Sequence, residues 1–126
     1  MPLVRISLNA GKPESHRRAI GDAVHRAMVE TIKVPEKDKF QILSEEPAGS
    51  LVYDPSYLDI ARTDAVVFIQ ITLNAGRTVE MKKAFYARAV ELLAQSPGLR
   101  KEDVVISLIE VPKENWSFGN GIAQYA

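Results

Sequence analysis

Apolar and polar side chains alternate along the first segment of the chain. Within residues 2–8, apolar residues at Val4, Ile6 and Leu8 are separated by polar ones. A period of two is typical of a β-strand that buries one face. A second segment, residues 65–73, is almost continuously apolar. This pattern predicts a central strand that is covered on both faces.

Each predicted strand is followed by an Asn-Ala-Gly-basic turn and then by a segment with helical periodicity. In these segments apolar residues recur at intervals of three and four, at Ile20, Val24, Ala27 and Met28 and at Met81, Phe85, Ala89 and Leu92. The first helix is predicted from about Pro13 to about Thr31, and the second ends near Pro97. Further strands follow at about 39–44 and 104–111. Each half is therefore β-α-β, and a helical crossover makes its two strands parallel.

The two halves of the chain are copies of one unit. When residues 1–46 are laid over residues 66–111 at a constant offset of 65, nine positions are identical, and in the second copy they are Ile71, Leu73, Asn74, Ala75, Gly76, Ala84, Asp103, Leu108 and Glu110. Conservative matches fall in the same register, for example Lys12 with Arg77. Two copies are too few for a solenoid, so we predict one compact pseudo-symmetric domain.

The predicted domain covers residues 1–126, with repeats at about 2–46 and 67–111. The connecting segment, about 45–63, is rich in turn-forming residues, and both a binding loop and a simple connection are consistent with its length. The carboxy-terminal tail, 112–126, contains several aromatic residues, which usually pack against other groups.

Composition narrows the classes of partner. Sixteen basic and sixteen acidic residues give no net charge, which argues against a nucleic-acid or membrane-surface binder and favours a small molecule. The chain has no cysteine, so it has no disulfide and no thiolate metal site, and we expect neither a metal nor a cofactor. The sequence shows no signal peptide and no membrane-spanning run, so a cytoplasmic location is expected.

Pro2 is a candidate catalytic base. A small residue at position 2 generally permits removal of Met1, which leaves a secondary amine in place of an amide nitrogen. The pKa of an α-amino group is about 7.7–8.0, and burial or nearby cations lower it toward the pH at which acid–base catalysis is most effective. If Met1 is retained, the Met-Pro amide has no basicity. Proline here is also an ordinary residue at the start of a strand.

Arg77 and Lys12 follow the glycine turns at equivalent places in the two copies. The free N–H groups of a helix amino terminus attract an anion, and a guanidinium can hold a carboxylate by two parallel hydrogen bonds. The pattern favours a carboxylic acid as the ligand, with a solvated basic side chain as the alternative. The phosphate-loop pattern is absent, so nucleotide binding is not predicted.

Asp38 is a candidate for orienting water or for sharing a proton with the terminal amine. Asp103 occupies the equivalent place in the second copy, where no terminal amine exists, so a structural role in a turn is equally consistent. His16 and His25 lie about half a turn out of phase on the first predicted helix. They are expected at the surface and not as a pair of metal ligands.

A proline at position 2, a duplicated β-α-β unit and the Asn-Ala-Gly-basic turn together resemble the tautomerase superfamily, whose longer members carry two such units. Residues 34–41 (Val-Pro-Glu-Lys-Asp-Lys-Phe-Gln) and 115–121 (Asn-Trp-Ser-Phe-Gly-Asn-Gly) are most similar to its malonate semialdehyde decarboxylase group. The resemblance implies an α/β fold like that of macrophage migration inhibitory factor, with a mixed sheet and two helices on one face. It also implies a homotrimer with active sites at the subunit boundaries.

The resemblance assigns roles to individual residues. It implies that Pro2 is the catalytic group, that Arg77 binds the substrate carboxylate and that Asp38 matches the aspartate of the decarboxylase group. The hydrophobic wall of that group is matched by Trp116, Phe118 and Tyr125. One position departs from the pattern, because the decarboxylases have a second arginine where this chain has Ala75. Loss of that cation weakens the decarboxylase interpretation and removes one influence that lowers the pKa of the amine.

Three functions therefore remain open. The first is enol–keto proton transfer in a small 2-oxo or 2-hydroxy-enoic acid, with phenylenolpyruvate as a reasonable test substrate. The second is a decarboxylase or hydratase acting on 3-oxo or acetylenic acids, in which a protonated Pro2 polarises the substrate and Asp38 positions water. The third is a noncatalytic oligomer that binds a small acid.

Overall fold

The computed structural model describes residues 2–126, and the expected removal of Met1 lies outside these residues. The described residues form two α-helices and four strands in the order β1 (Leu3–Asn9), α1 (Glu14–Thr31), β2 (Gln41–Glu46), β3 (Val67–Asn74), α2 (Val79–Gln95) and β4 (Val104–Val111). Neither helix in this part of the chain combines the length and apolar character needed to cross a membrane.

The four strands form one mixed sheet in the order β2-β1-β3-β4. β1 is parallel to β2 and β3 is parallel to β4, while β1 and β3 are antiparallel. The two parallel pairs have the same register. Val4 lies opposite Gln41, and the residues 65 positions later, Ile69 and Ile106, also lie opposite each other. The mixed sheet built from two β-α-β units is therefore confirmed.

The repeat is also visible in the side-chain contacts. Arg17 of α1 forms an ion pair with Glu45 of β2. At the equivalent positions, Nζ of Lys82 in α2 lies 2.7 Å from Oε1 of Glu110 in β4. In both copies the same turn of the helix is thus joined to the same place on the following strand.

Both helices pack side by side on one face of the sheet, and the hydrophobic core lies between the two layers. Every second residue of β1 and β3 points into this layer, and Ile6 and Ile71 are fully buried. Ile20 from α1 and Phe85 from α2 fill the space above them. The helical intervals of three and four predicted from the sequence place these side chains on the buried side of each helix.

The sheet face that points away from the helices, called the open face below, is not covered by any element of residues 2–126. Its central part is a groove of about 240 Å³. The pairing registers assign polar and apolar side chains to this face, among them Leu3, Arg5, Ser7, Ile42, Phe68, Gln70, Val105, Ser107 and Ile109.

The prediction that residues 65–73 are covered on both faces is wrong for the single chain. β3 is a central strand as predicted, but its buried residues alternate with more exposed ones, and Gln70 is exposed. The physical reason is that both helices pack on the same face. The apolar residues of β3 that point the other way, such as Phe68, are left only partly covered.

Candidate functional site

Pro2 lies at the corner of the sheet where β1 begins and β3 ends. Because β1 and β3 are antiparallel and Leu3 pairs with Thr72, Pro2 falls beside the last residues of β3. On its other side the backbone N–H of Val4 donates to the carbonyl of Phe40 at 3.0 Å, so the segment that enters β2 also passes this corner. Pro2 is buried. Strand pairing thus brings three distant parts of the sequence together around the start of the chain.

Arg77 reaches the same corner from the turn that follows β3. The turn depends on Gly76, whose φ of +125° lies in a region that favours glycine. Nε of Arg77 donates to the carbonyl of Ile32 at 3.0 Å, and Nη1 donates to the carbonyl of Asn74 at 3.0 Å. A guanidinium has five N–H donors, so within residues 2–126 three of them have no partner. The arginine is held in place with donors left for an anion.

Burial lowers the pKa of Arg77, and the negative charges of Glu110 and Asp38 act in the opposite direction. Since the ordinary pKa of arginine lies far above neutrality, the guanidinium stays charged. A charged group in a partly buried position interacts with an anion more strongly than one in bulk water. The corner therefore carries a fixed positive charge.

Asp38 lies in the turn before β2, where its backbone N–H donates to the carbonyl of Pro35 at 3.0 Å. This turn delays the start of β2 to Gln41, slightly later than predicted. The side chain is only 6% exposed. Burial raises the pKa of Asp38 above its ordinary 3.8, and nearby positive charges, including that of Arg77, act in the opposite direction. Asp38 and Arg77 are therefore close enough to influence each other.

His25 is buried, at 8% exposure, and the prediction of a surface position is wrong. Its Nε2 lies 2.7 Å from the carbonyl oxygen of Glu36, so that nitrogen carries the proton and donates it. The helical pattern of α1 does not predict this burial, because His25 is covered by the turn that ends at Asp38. His25 thus fastens that turn to the helix. His16 is partly exposed.

The aromatic tail is attached to the end of β3. Nε1 of Trp116 donates to Oδ1 of Asn74 at 2.8 Å. The Trp116 and Phe118 rings stack with centroids 5.2 Å apart, and Phe118 also contacts Tyr125 at 5.7 Å and Phe40 at 5.9 Å. These rings form a wall that runs from the end of β3 to the start of β2. The wall borders the corner that contains Pro2.

The predicted site residues Pro2, Asp38, Arg77, Trp116 and Phe118 therefore converge on one corner of the sheet. Tyr125 lies at the outer edge of the aromatic wall and is half exposed. Such a corner combines a place for an amine, a fixed cation, a buried carboxyl group and an apolar wall. Among residues 2–126, no three His, Asp or Glu side chains are grouped in a way that suits a metal ion.

Two residues of this corner were missed by reasoning from the sequence. The sequence predicts only a turn at Asn74, but its side chain fixes Trp116, whereas Nδ2 of the equivalent Asn9 donates to the carbonyl of Asp64. The other is Phe40, and the signal for it in the sequence is an aromatic residue directly after a run of charged residues. It completes the aromatic wall from the side of β2.

Comparison with known proteins decides the family. Two family models, each described as "Tautomerase enzyme", match residues 38–119 and residues 2–59. The probable tautomerase YusQ of Bacillus subtilis (strain 168) is 42% identical over 124 residues, which cover 98% of this chain and 98% of that protein. The chain belongs to the tautomerase family of enzymes. The membership expected from the sequence is confirmed.

Solved structures of tautomerase folds agree with this assignment. A malonate semialdehyde decarboxylase inhibited by 3-bromopropiolate is 40% identical and has a TM-score of 0.92, with 98% of this chain and 93% of that chain covered. A fused 4-OT that forms a symmetric trimer is 26% identical and has a TM-score of 0.78, with 98% of this chain and 97% of that chain covered. Within the tautomerase superfamily, the chain belongs with the malonate semialdehyde decarboxylase-like group.

Proposed function

We propose that this tautomerase-family chain, once Met1 is removed, interconverts the enol and keto forms of a small 2-oxo or 2-hydroxy-enoic acid. The observation that carries the proposal is the burial of Pro2 at the corner where three N–H donors of Arg77 have no partner within residues 2–126. Burial and a nearby cation both lower the pKa of an amine. The neutral amine of Pro2 is then available as a base near neutral pH.

In the proposed reaction, Arg77 holds the substrate carboxylate by parallel hydrogen bonds. The amine of Pro2 takes the proton from the 2-hydroxyl group, and the O–H electron pair becomes part of the new carbonyl. The electron pair of the carbon–carbon double bond then receives the proton from Pro2 at carbon 3. The amine is regenerated, and no cofactor is consumed. The aromatic wall of Trp116 and Phe118 accepts an apolar substituent and limits the access of water.

The test is ketonisation of phenylenolpyruvate, followed by ultraviolet absorbance with protein whose loss of Met1 is verified by intact mass. Pro2→Ala is expected to lower the catalysed rate by about 10²- to 10⁴-fold, the usual contribution of a positioned acid–base group. Pro13→Ala is the matched control, because Pro13 is exposed and its side chain makes no capping hydrogen bond to α1. A folded Pro2→Ala protein with the wild-type rate, or a wild type with no rate, contradicts the proposal.

Decarboxylation or hydration is the second candidate, and the buried Asp38 beside Arg77 is the observation that favours it. The similarity to a malonate semialdehyde decarboxylase gives further support. A protonated Pro2 would polarise the carbonyl of a 3-oxo acid while the bond to the leaving carboxylate breaks, and Asp38 would position water for hydration.

A pair of substitutions separates the two candidates. Asp38→Asn is expected to abolish hydration of an acetylenic acid and to leave most of the phenylenolpyruvate ketonisation. Ala75→Arg supplies the cation that the decarboxylase group carries at this position, and it is expected to increase the consumption of malonate semialdehyde. If Asp38→Asn lowers both activities equally, this division of roles is wrong.

We also propose that the chain assembles as a homotrimer through the open face of its sheet. On that face the apolar residues Ile42 and Ile109 are exposed, and Leu3 and Phe68 are only partly covered, Phe68 by the ring of Tyr53 at 6.2 Å. Burial of such a surface stabilises an oligomer. The fold similarity to a symmetric trimer supports the same number of subunits.

A further inference from the structure

A second cavity, of about 690 Å³, lies at the end of the sheet opposite Pro2. Lys12 and His16 line one side, at the end of β1 and the start of α1. Leu51 and Tyr53 line the other side and belong to the segment that connects the two repeats. The volume lies within the range of small-molecule sites. None of its lining residues belongs to the corner around Pro2.

This second cavity is the pseudo-symmetric counterpart of the corner described above. The two parallel strand pairs share one register, so the offset of the repeat relates positions in space as well as in sequence. Lys12 is then equivalent to Arg77, and Ala10 is equivalent to Ala75. The buried residue equivalent to Pro2 is Val67, at the start of β3. The molecule therefore has two corners of the same design, and only one of them contains the start of the chain.

Lys12 is a cation available to a ligand. Within residues 2–126 it makes no hydrogen bond or ion pair with another side chain, and it is exposed at the cavity. His16 faces the same space, and its pKa is lowered by burial and further by the charge of Lys12. The two groups therefore share one electrostatic environment. A carboxylate there would be attracted by the charge of Lys12 and would accept hydrogen bonds from its ammonium group and from an imidazole N–H of His16.

The carboxylate equivalent to Asp38 does not face this cavity. Asp103 is fully buried, and its Oδ1 and Oδ2 accept hydrogen bonds from the backbone N–H and the hydroxyl of Thr63 at 2.7 and 2.8 Å. Asp64 is the acidic residue among the described lining residues, and it is exposed to solvent. Its backbone carbonyl accepts the hydrogen bond from Asn9, so Asp64 is fixed through its main chain. The positive charge of Lys12 is therefore not neutralised inside the cavity.

We propose that this cavity is a second binding site, which takes a small monocarboxylic acid with an apolar or aromatic substituent. Lys12 and His16 hold the carboxylate, and Leu51 and Tyr53 contact the substituent. Val67 lies within the chain, so its backbone nitrogen is an amide and this corner has no counterpart of the Pro2 amine. We therefore expect this site to bind an acid without the enol–keto proton transfer proposed for Pro2. The length of the connecting segment is consistent with either a binding loop or a simple connection, and in this proposal the segment is a binding loop.

The test uses the full chain and 3-phenylpropionate, a monocarboxylate that has no oxo group and cannot be turned over. Alanine methyl groups labelled with carbon-13 report on the two corners separately by NMR. Ala10 and Ala48 line the second cavity, and Ala75 lies in the turn before Arg77. In the wild type, the Ala10 and Ala48 signals are expected to shift and saturate with added 3-phenylpropionate. The uncharged alcohol 3-phenylpropanol is expected to leave them unchanged.

Lys12→Met and Arg77→Met form a matched pair of variants, because they remove a cation at equivalent positions. Lys12→Met is expected to weaken the response of Ala10 and Ala48 at least tenfold and to leave that of Ala75 unchanged. Arg77→Met is expected to do the reverse. Lys12 is exposed, so its substitution should not disturb the fold, and circular dichroism checks this.

The proposal is overturned if Ala10 and Ala48 do not shift in the wild type, or if Lys12→Met leaves their response intact. It is independent of the proposed activity at Pro2. A protein that shows the Ala10 response but does not ketonise phenylenolpyruvate keeps the second site and contradicts the proposed reaction. The opposite combination, turnover without any Ala10 response, keeps the reaction and contradicts the second site.

Discussion

Arg77 and Lys12 show, at the scale of single residues, how two copies of one unit come to differ. The Arg77 side chain is bound to the carbonyls of Ile32 and Asn74, whereas Lys12 makes no side-chain contact of this kind within residues 2–126. A planar guanidinium held at two atoms presents its remaining donors in a defined direction, while an ammonium group is a mobile point charge. The difference suits Arg77 for orienting a substrate and Lys12 for simple binding.

Substitution of Arg77 by lysine tests this difference. Arg77→Lys keeps the charge but loses the paired hydrogen bonds to a carboxylate, which are worth about 1.5–3 kcal/mol. The kcat/KM for phenylenolpyruvate is therefore expected to fall about 10- to 100-fold. Steady-state kinetics measure the effect, and Arg26→Lys is the control, because Arg26 is an exposed residue of α1 paired with Glu30. An unchanged kcat/KM would show that bidentate binding by Arg77 plays no part.

Asp38 makes the stability depend on pH. Because burial raises its pKa above 3.8, the folded protein binds this proton more tightly than the unfolded chain does. The contribution of Asp38 to the free energy of unfolding is fully present below pH 3.8. It falls as the pH rises from 3.8 to the raised pKa of Asp38 in the folded protein. Asp38→Asn removes the dependence.

Urea unfolding of the wild type and Asp38→Asn across this pH range measures the effect. The stability of the wild type relative to the variant is expected to decline as the pH rises through the window. Asp59→Asn serves as the control, since Asp59 is exposed. Parallel profiles for the wild type and Asp38→Asn would contradict the raised pKa.

At the scale of elements, the same aspartate position serves different purposes in the two repeats. Asp38 ends a turn that is fastened to α1 by His25. Asp103 precedes β4 and fastens the connecting segment by accepting two hydrogen bonds from Thr63. The duplicated residue precedes a strand in both copies, but only Asp103 is bound by the connecting segment, through Thr63, and it also pairs with Arg100 at 3.4 Å.

Asp103→Asn tests the anchoring of the connecting segment. An amide cannot reproduce both charge-assisted hydrogen bonds to Thr63, so the free energy of unfolding is expected to fall by about 1–3 kcal/mol. Urea unfolding measures this loss, and trypsin cleavage at Arg62 should become faster as the segment loosens. Asp54→Asn, in the exposed part of the same segment, is expected to change stability less. Equal effects of the two substitutions would show that Asp103 is not the anchor.

At the scale of the whole molecule, both helices cover the same face, and we propose that the chain assembles through the open face that they leave. A charge placed there should oppose assembly, because its burial at an interface would cost free energy. Ile42→Asp is therefore expected to shift the oligomer toward the mass of one chain. Ile42 is already 38% exposed in the single chain, so the fold of the subunit should survive.

Size-exclusion chromatography with light scattering measures the mass. Ala87→Asp is the matched control, because Ala87 is exposed on α2, in the other layer of the molecule. A wild type that is monomeric at all concentrations would contradict assembly through the open face. An Ile42→Asp protein that keeps the full oligomer mass would locate the interface elsewhere.

Much of the candidate site can be predicted from the sequence, because its residues stand next to recognisable local patterns. Pro2 precedes a strand with a period of two, and Arg77 follows a glycine turn that occurs twice. The burial of His25 and the contact between Trp116 and Asn74 could not be predicted from the sequence. Both depend on segments that fold back over an element from elsewhere in the chain, and no local pattern records such contacts.

The sequence by itself determined the β-α-β unit, its duplication and the faces of the helices, because periodicity and glycine turns act over a few neighbouring residues. Only the tertiary structure decided that β1 pairs antiparallel with β3, which brings Pro2 next to the turn of Arg77. It also decided that both helices cover one face and that a cavity forms at the end of the sheet opposite Pro2. These features depend on which strand edges meet across a long separation in sequence. That choice is made by the packing of the whole core, which no single segment encodes.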